Sequence, residues 1–112
     1  MIVKCNKAFR HQTSEGRMYK VIEVMIKKNS NAVSYRIIDN EGIPSIYDAS
    51  DFSVIVNDMR DAAILIDDFQ IVMSHRHIIN SELNKKHTEG FWGAYFDDDY
   101  EAKRILQEIL AE

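Results

Sequence analysis

His75-Arg76-His77 is the one short stretch with a metal-binding flavour. On an extended strand, positions 75 and 77 point to the same side, so two imidazoles there can meet one ion. His87 or the Asp67-Asp68 pair would have to complete such a site. A cysteine partner, an H-E-x-x-H motif and a third ligand at a recognised spacing are all lacking. If the strand runs on from Phe69, both histidines share the face of Phe69, Ile71 and Met73, next to core. Ordinary half-buried or surface histidines are therefore expected, with no metal and no cofactor. Asp97-Asp98-Asp99 offers carboxylates for Mg²⁺ or for phosphate mimicry. Helix capping already accounts for two of the three, however, and adjacent residues cannot all face one ion. Cys5 lies in an apolar strand without a His or Asp at nucleophile spacing and reads as a buried structural thiol. Acyl transfer, glycoside hydrolysis and phosphate-loop chemistry each lack their minimum residue set, so no catalytic residue and no enzyme is expected.

Two surfaces are left as candidates for binding. Phe91, Trp92, Tyr95 and Phe96 form the densest aromatic stretch in the chain. Most of that group is expected in the core, with Trp92 or Tyr95 as an exposed anchor of the kind that dominates protein interfaces. The expected partner-binding surface is accordingly Trp92, Tyr95, Asp97, Asp98 and Asp99. The alternative is a nucleic-acid surface on the basic N-terminal part, made by Lys4, Lys7, Arg10, Arg17, Lys20, Lys27 and Lys28 with Phe9 and Tyr19 among them. No glycine-rich loop or recognition helix accompanies these cations, and solvated lysines explain most of them.

The elements that must position these residues fit within 112 residues, the length of one domain or of two half-sized units. With 46% hydrophobic and 29% charged residues the chain has ordinary globular usage. A single cysteine excludes an internal disulfide framework. No apolar run approaches the roughly 18–20 residues of a membrane span, and the start MIVKCNKAF lacks a signal-peptide core, so a cytoplasmic protein is expected. The net charge of −4 conceals an uneven distribution: residues 1–38 carry +6 and residues 39–112 carry −10. A chain polarised in this way suits one surface to an acidic partner and another to a basic one.

Five short strands are expected in the first half: Ile2 to Cys5, Met18 to Ile26, Ala32 to Ile38, Ile43 to Tyr47 and Phe52 to Val56. Asp39-Asn40-Glu41-Gly42 supplies residues that tolerate positive φ in a tight hairpin. Pro44 marks an edge strand because it cannot donate a ladder hydrogen bond. Asp48 to Asp51 reads as a one-turn helix. Strands and turns at this frequency argue for a small barrel.

The residues that carry this pattern also resemble a known group. Val3-Lys4-Cys5, Glu15-Gly16-Arg17-Met18-Tyr19-Lys20-Val21-Ile22, Tyr35-Arg36-Ile37-Ile38-Asp39-Asn40-Glu41-Gly42, and Tyr47 through Ser50 with Phe52 are similar to the small SH3-like domain proteins of bacteriophages and prophages of Gram-positive bacteria. The resemblance covers about residues 3–56. Arg17 stands where that group usually has Lys, and Asp48 where Pro often follows the Tyr. The resemblance implies an SH3-like barrel and a phage or prophage origin, and it names no site residues.

Residues 58–112 are expected to form an α+β extension packed on a barrel of residues 1–57. Asp58 would cap a short helix there, while Ile64-Leu65-Ile66 fits a buried strand equally well. Phe69 to Met73 reads as a strand and residues 81–87 as a helix. Phe91 to Phe96 reads as an aromatic strand. Ala102, Ile105, Leu106, Ile109 and Leu110 form one stripe of an amphipathic helix, with Asp98 and Glu101 at capping-box spacing. The fold class expected is α+β. The function expected is a non-enzymatic protein, monomeric or homodimeric and without membrane contact, that occupies a surface of a host protein as an inhibitor of a host enzyme or defence system.

Overall fold

The computed structural model describes all 112 residues and divides the chain into two units, Met1–Ser74 and His75–Glu112. The class is α+β. The boundary falls at Ser74 rather than near Asn57, because the strands that follow residue 57 join the N-terminal sheet.

That sheet has seven strands: β1 (Ile2–Cys5), β2 (Met18–Lys27), β3 (Val33–Ile38), β4 (Pro44–Asp48), β5 (Phe52–Val56), β6 (Ala62–Ile66) and β7 (Gln70–His75). A single 3₁₀ turn, Ala49–Asp51, joins β4 to β5, and the Asp48 side chain accepts from the Ser50 amide at its start. The main path runs β4-β3-β2-β1-β5, and β7, with β6 beyond it, also pairs with β2. Every pairing with a defined register is antiparallel. The expected closed barrel does not form: β4 pairs only with β3 and β5 only with β1, so the two ends of the path do not meet. As Pro44 signals, β4 is an edge strand.

β2 is the strand on which the others are hung. Its first three residues pair with β1, and Glu23–Lys27 pair with β7. Because Glu23–Ile26 also pair with β3, that stretch is hydrogen-bonded on both edges. A register shift between Val21 and Glu23 adds one residue against β3. Strict alternation would place Tyr19, Val21 and Glu23 on one face. The extra residue resets the phase, so that Val24 joins Tyr19 and Val21 in the core with Val3, Cys5, Tyr35, Ile37 and Phe52. Phe52 sits at the centre of this cluster, edge-to-face with Tyr19, Tyr35 and Tyr47. Cys5 is buried there as a small apolar residue, as expected.

The shift leaves Glu23 directly opposite Arg36. Both are buried, with side-chain exposures of 5% and 10%. Arg36 donates from Nε to Glu23 Oε1 at 3.2 Å and from Nη1 to the Pro44 carbonyl at 3.0 Å, tying β2, β3 and β4 together. Burial lowers the Arg36 pKa from its usual value, and the Glu23 carboxylate opposes that shift.

A second polar cluster fixes the loop between β1 and β2 to the β3–β4 turn. Asn40 Oδ1 accepts from Arg17 and from the Tyr19 hydroxyl, each at 2.7 Å, while its Nδ2 donates to the His11 carbonyl and to Ser14. Asp39 is buried. Its Oδ1 accepts from the Glu41 and Ile43 amides and its Oδ2 from the Tyr47 hydroxyl at 2.9 Å.

The second unit is helical: α1 (Arg76–Ile79), α2 (Leu83–Lys86), α3 (Gly90–Phe96) and α4 (Tyr100–Leu110). The amphipathic stripe appears in α4, where Ala102, Ile105, Leu106 and Ile109 are buried. Its cap differs from expectation. Asp99, not Asp98, is the N-cap, and its side chain accepts from the Ala102 amide at 3.0 Å.

The Glu23–Arg36 pair and Tyr47 each yield an expected outcome. Replacing Arg36 by Met takes the guanidinium away from a buried carboxylate and should lower unfolding free energy by about 3–5 kcal/mol, whereas Glu23→Leu with Arg36→Met should recover most of it; denaturant unfolding measures both. Burial, together with the hydrogen bond to Asp39, pushes the Tyr47 pKa up to about 12. The folded state therefore favours the neutral phenol over the unfolded chain, where tyrosine titrates near 10. The resulting stability is fully present below about pH 10 and is lost as the pH rises through about 12. A tyrosinate absorbance titration should show a late-ionising component that Tyr47→Phe removes.

Candidate functional site

The aromatic stretch of residues 91–96 is a helix, not a strand. Phe91 and Ala94 are its buried residues, a spacing of three that only a helix puts on one face. Gly90, with φ of +71°, turns the chain at the start of α3. Gly93 is required by close approach: a Cβ there would lie 2.5 Å from Glu89 Cβ and 2.9 Å from the His87 ring. His87 is fixed against this helix, with Nε2 2.8 Å from Asp97 Oδ2 and Nδ1 accepting from the Glu89 amide.

The three consecutive aspartates each do a different job between α3 and α4. Asp97 is the C-cap of α3 and the partner of His87. Asp98 takes a left-handed conformation, φ +62°. Its amide donates to the Tyr95 carbonyl and the Asp99 amide to the Ala94 carbonyl, both near 3 Å, which is the Schellman ending of a helix. Asp99 then opens α4. Each of the three residues thus has its own place in the turn that ends α3 and opens α4.

Around this turn the aromatic side chains form a continuous ridge. Ring centroids step from Phe91 to Trp92 at 4.9 Å, Trp92 to Tyr95 at 5.6 Å and Tyr95 to Phe96 at 5.3 Å. Of the expected anchors, Trp92 and Tyr95 are half-buried, and Lys103 lies 4.0 Å above the Tyr95 ring while pairing with Asp98 at 3.4 Å. The most exposed rings of this stretch are two that sequence reasoning did not select as contacts: Phe96 at 52% exposure and Tyr100 at 80%. The carboxylates of Asp97 and Asp98, between the two in sequence, are exposed as well. The signal that would have found both rings is the helical period itself, since Phe96 lies outside the 91/94 face and Tyr100 outside the 102/105/106/109 stripe.

The other candidates are dispersed or already engaged. His75 ends β7 and caps α1, accepting from the His77 amide through Nδ1 at 3.1 Å, while Nε2 lies 3.1 Å from Glu112. His77 belongs to the helix, so the two rings do not share a strand face; they meet edge-to-face at 4.9 Å. His77 lines a cleft of about 330 Å³ with Arg76, Asn80, Arg104, Ile105 and Glu108. Arg104 there is already held by Glu101 and Glu108.

All seven expected basic residues are exposed, but they do not converge. Lys4 and Lys20 share the outer face of the β1–β2 pair, opposite the inward Val3 and Tyr19. Arg17 is drawn to Asn40 and the Tyr19 ring, and Arg10 stacks on Phe9. Lys27 and Lys28 lie at the far end of β2, about 20 Å from Lys20 at the usual rise of a strand. Comparison with protein-family models, with curated proteins and with solved structures finds no match to this chain. No helix is long and apolar enough to cross a membrane.

The helix-end architecture is testable at two glycine-sensitive positions. Gly93→Ala should destabilise by about 1–3 kcal/mol through overpacking against Glu89 and His87. Asp98→Gly should leave thermal stability equal or slightly higher, because glycine adopts the left-handed position without strain.

Proposed function

We propose that this protein is a non-enzymatic binding protein that acts by covering a surface of a host protein, with the α3–α4 ridge as its contact. One observation carries the reading: Phe96 and Tyr100 are presented to solvent next to Asp97 and Asp98, backed by the half-buried Trp92 and Tyr95. Exposed aromatics on a rigid helical support are the side chains that supply most binding energy in protein interfaces. The acidic neighbours, and the −10 balance of residues 39–112, favour a partner with basic residues around an apolar patch. The strand order β4-β3-β2-β1-β5, with a 3₁₀ turn between β4 and β5, supports the SH3-like reading of the N-terminal part in an open form. The sequence resemblance implies a phage or prophage origin, and on that reading the bound protein is a host enzyme or defence factor that is inhibited.

The test is capture from nuclease-treated lysate of a Gram-positive bacterium by the tagged chain and by its Phe96→Ser/Tyr100→Ser variant. Both replaced rings are exposed, so the variant should keep its melting behaviour to within about 0.5 kcal/mol. A specific host protein retained by the wild type and reduced about tenfold or more by the variant is the expected result. Equal retention by both would remove the ridge as the contact. Recovery of nucleic acid alone, lost as salt rises, would move the function to the lysine-bearing strands.

A further inference from the structure

Lys103 closes the first turn of α4, where a cation opposes the positive end of the helix dipole. What lies opposite holds it there. Helical side chains lean back toward the N-terminus, so Lys103 reaches over the Asp97–Asp99 turn to the last turn of α3. Its ammonium sits 4.0 Å above the centre of the Tyr95 ring and 3.4 Å from Asp98 Oδ1. The ring is restrained by its neighbours, with Trp92 at 5.6 Å and Phe96 at 5.3 Å, each set steeply against it. Asp98 is restrained by its backbone, because its left-handed conformation is part of the helix ending that its amide closes on the Tyr95 carbonyl. An aromatic face and a carboxylate thus converge on one cation, and the chain supplies that cation itself.

We propose that Tyr95 and Asp98 form a seat for an arginine side chain of a protein partner, and that Lys103 is its resident occupant, displaced on binding. The occupant shows the chemistry that the seat accepts: a side-chain cation with a ring beneath it and a carboxylate beside it. Arginine fits this better than lysine. Its planar guanidinium stacks on the ring, offers a fork of N–H donors to the carboxylate, and is more weakly hydrated than an ammonium. Lys103 is held loosely enough to leave. Asp98 keeps 89% of its side chain exposed and Lys103 39%, which places their ion pair among the weak ones of a protein surface. Its long stem can carry the ammonium out to water with no change in the helix. The role of the seat in docking rests on the reading of the α3–α4 ridge as the contact, whereas the seat itself rests on the placement of Lys103.

The occupant sets the affinity and the selectivity. In a filled seat an incoming cation gains only the difference between its own contacts and those of Lys103. A partner lysine replaces like with like and gains little, whereas an arginine gains the stacking and the fork. Removing Lys103 returns the whole of what it held. For an exposed cation–ring contact together with an exposed ion pair, that amounts to about a three- to thirtyfold change in the binding constant.

The test is an NMR titration of the whole chain with a blocked peptide of alternating glycine and arginine, and with its citrulline counterpart, which keeps the shape and lacks the charge. The arginine peptide should shift the Tyr95 ring and Lys103 side-chain signals, and the citrulline peptide should leave them in place. Lys103→Ala should bind the arginine peptide about three- to thirtyfold more tightly than the wild type. Lys103→Gln, which keeps the stem and removes the charge, should do so as well. Lys4→Ala makes the same change of net charge at an exposed position on β1 and should stay within about twofold of the wild type. Asp98→Asn, which tolerates the left-handed conformation, should weaken binding several-fold. Equal affinity of the wild type and both Lys103 variants would overturn the proposal, as would an equal gain in Lys4→Ala or binding of the citrulline peptide at the same ring. A gain in the Lys103 variants with host capture unaffected by Phe96→Ser/Tyr100→Ser would uphold the seat and remove the ridge. Loss of capture in that double variant with no gain in the Lys103 variants would remove the seat and leave the ridge.

Discussion

The ion pair between Glu23 and Arg36 is the constraint around which the N-terminal sheet is arranged. Taking a carboxylate and a guanidinium out of water is unfavourable unless each finds the other in good geometry. Here that geometry exists only in one register of β2 against β3, the one set by the shift between Val21 and Glu23. A slip by a single residue would separate the charges and turn either Val24 of β2 or Tyr35 and Ile37 of β3 away from the core. Arg36 extends the constraint to β4 through the Pro44 carbonyl. The pair therefore specifies alignment more than it adds stability, which is the best-attested use of buried charges.

From that alignment the rest of the sheet follows outward. β2 offers its first residues to β1 and its last to β7, and these in turn carry β5 and β6. The interior strands are held on both edges, while apolar side chains accumulate on the terminal ones: Val54, Ile55 and Val56 on β5, and Ile64, Leu65 and Ile66 on β6. In the helical unit the same division holds. Phe91, Ala94 and the α4 stripe are buried, and Phe96 and Tyr100 are presented. The side chains available for recognition are thus mounted on elements whose position is fixed by groups elsewhere.

Much of this was legible in the sequence, and the failures have physical causes. The five N-terminal strands were visible because alternation and turn residues agree, as at Asp39–Gly42 and Pro44. The α4 stripe was visible because eleven residues give three turns of unbroken period. The shift in β2 was not, because a bulge changes the phase of burial without any residue type that marks it. Residues 91–96 were misread because six residues rich in aromatics satisfy a strand pattern. What decides for helix is the packing of His87 and Glu89 against Gly93, a contact invisible without coordinates. Ile64-Leu65-Ile66, which fits a buried strand as well as the end of a short helix opened by Asp58, lies in an exposed strand at an edge, since an apolar run reports preference and not whether a partner is present in the same chain. Of the proposed contact, the stretch Trp92 through Asp99 was singled out from its aromatic and acidic residues. Its exposed rings, Phe96 and Tyr100, were not, because choosing between core and surface aromatics required the helical phase.

Amide hydrogen exchange on the dilute protein tests most directly whether the paired register of β2 organises the fold. The account predicts the slowest exchange in the N-terminal unit at the amides of Glu23–Ile26, hydrogen-bonded on both edges beside the buried pair, with β6 among the fastest strands. In Arg36→Met that protection should fall across β2, β3 and β4 together. Exchange from Glu23–Ile26 as rapid as from β6, or a loss in the variant confined to residue 36 and its neighbours, would contradict it.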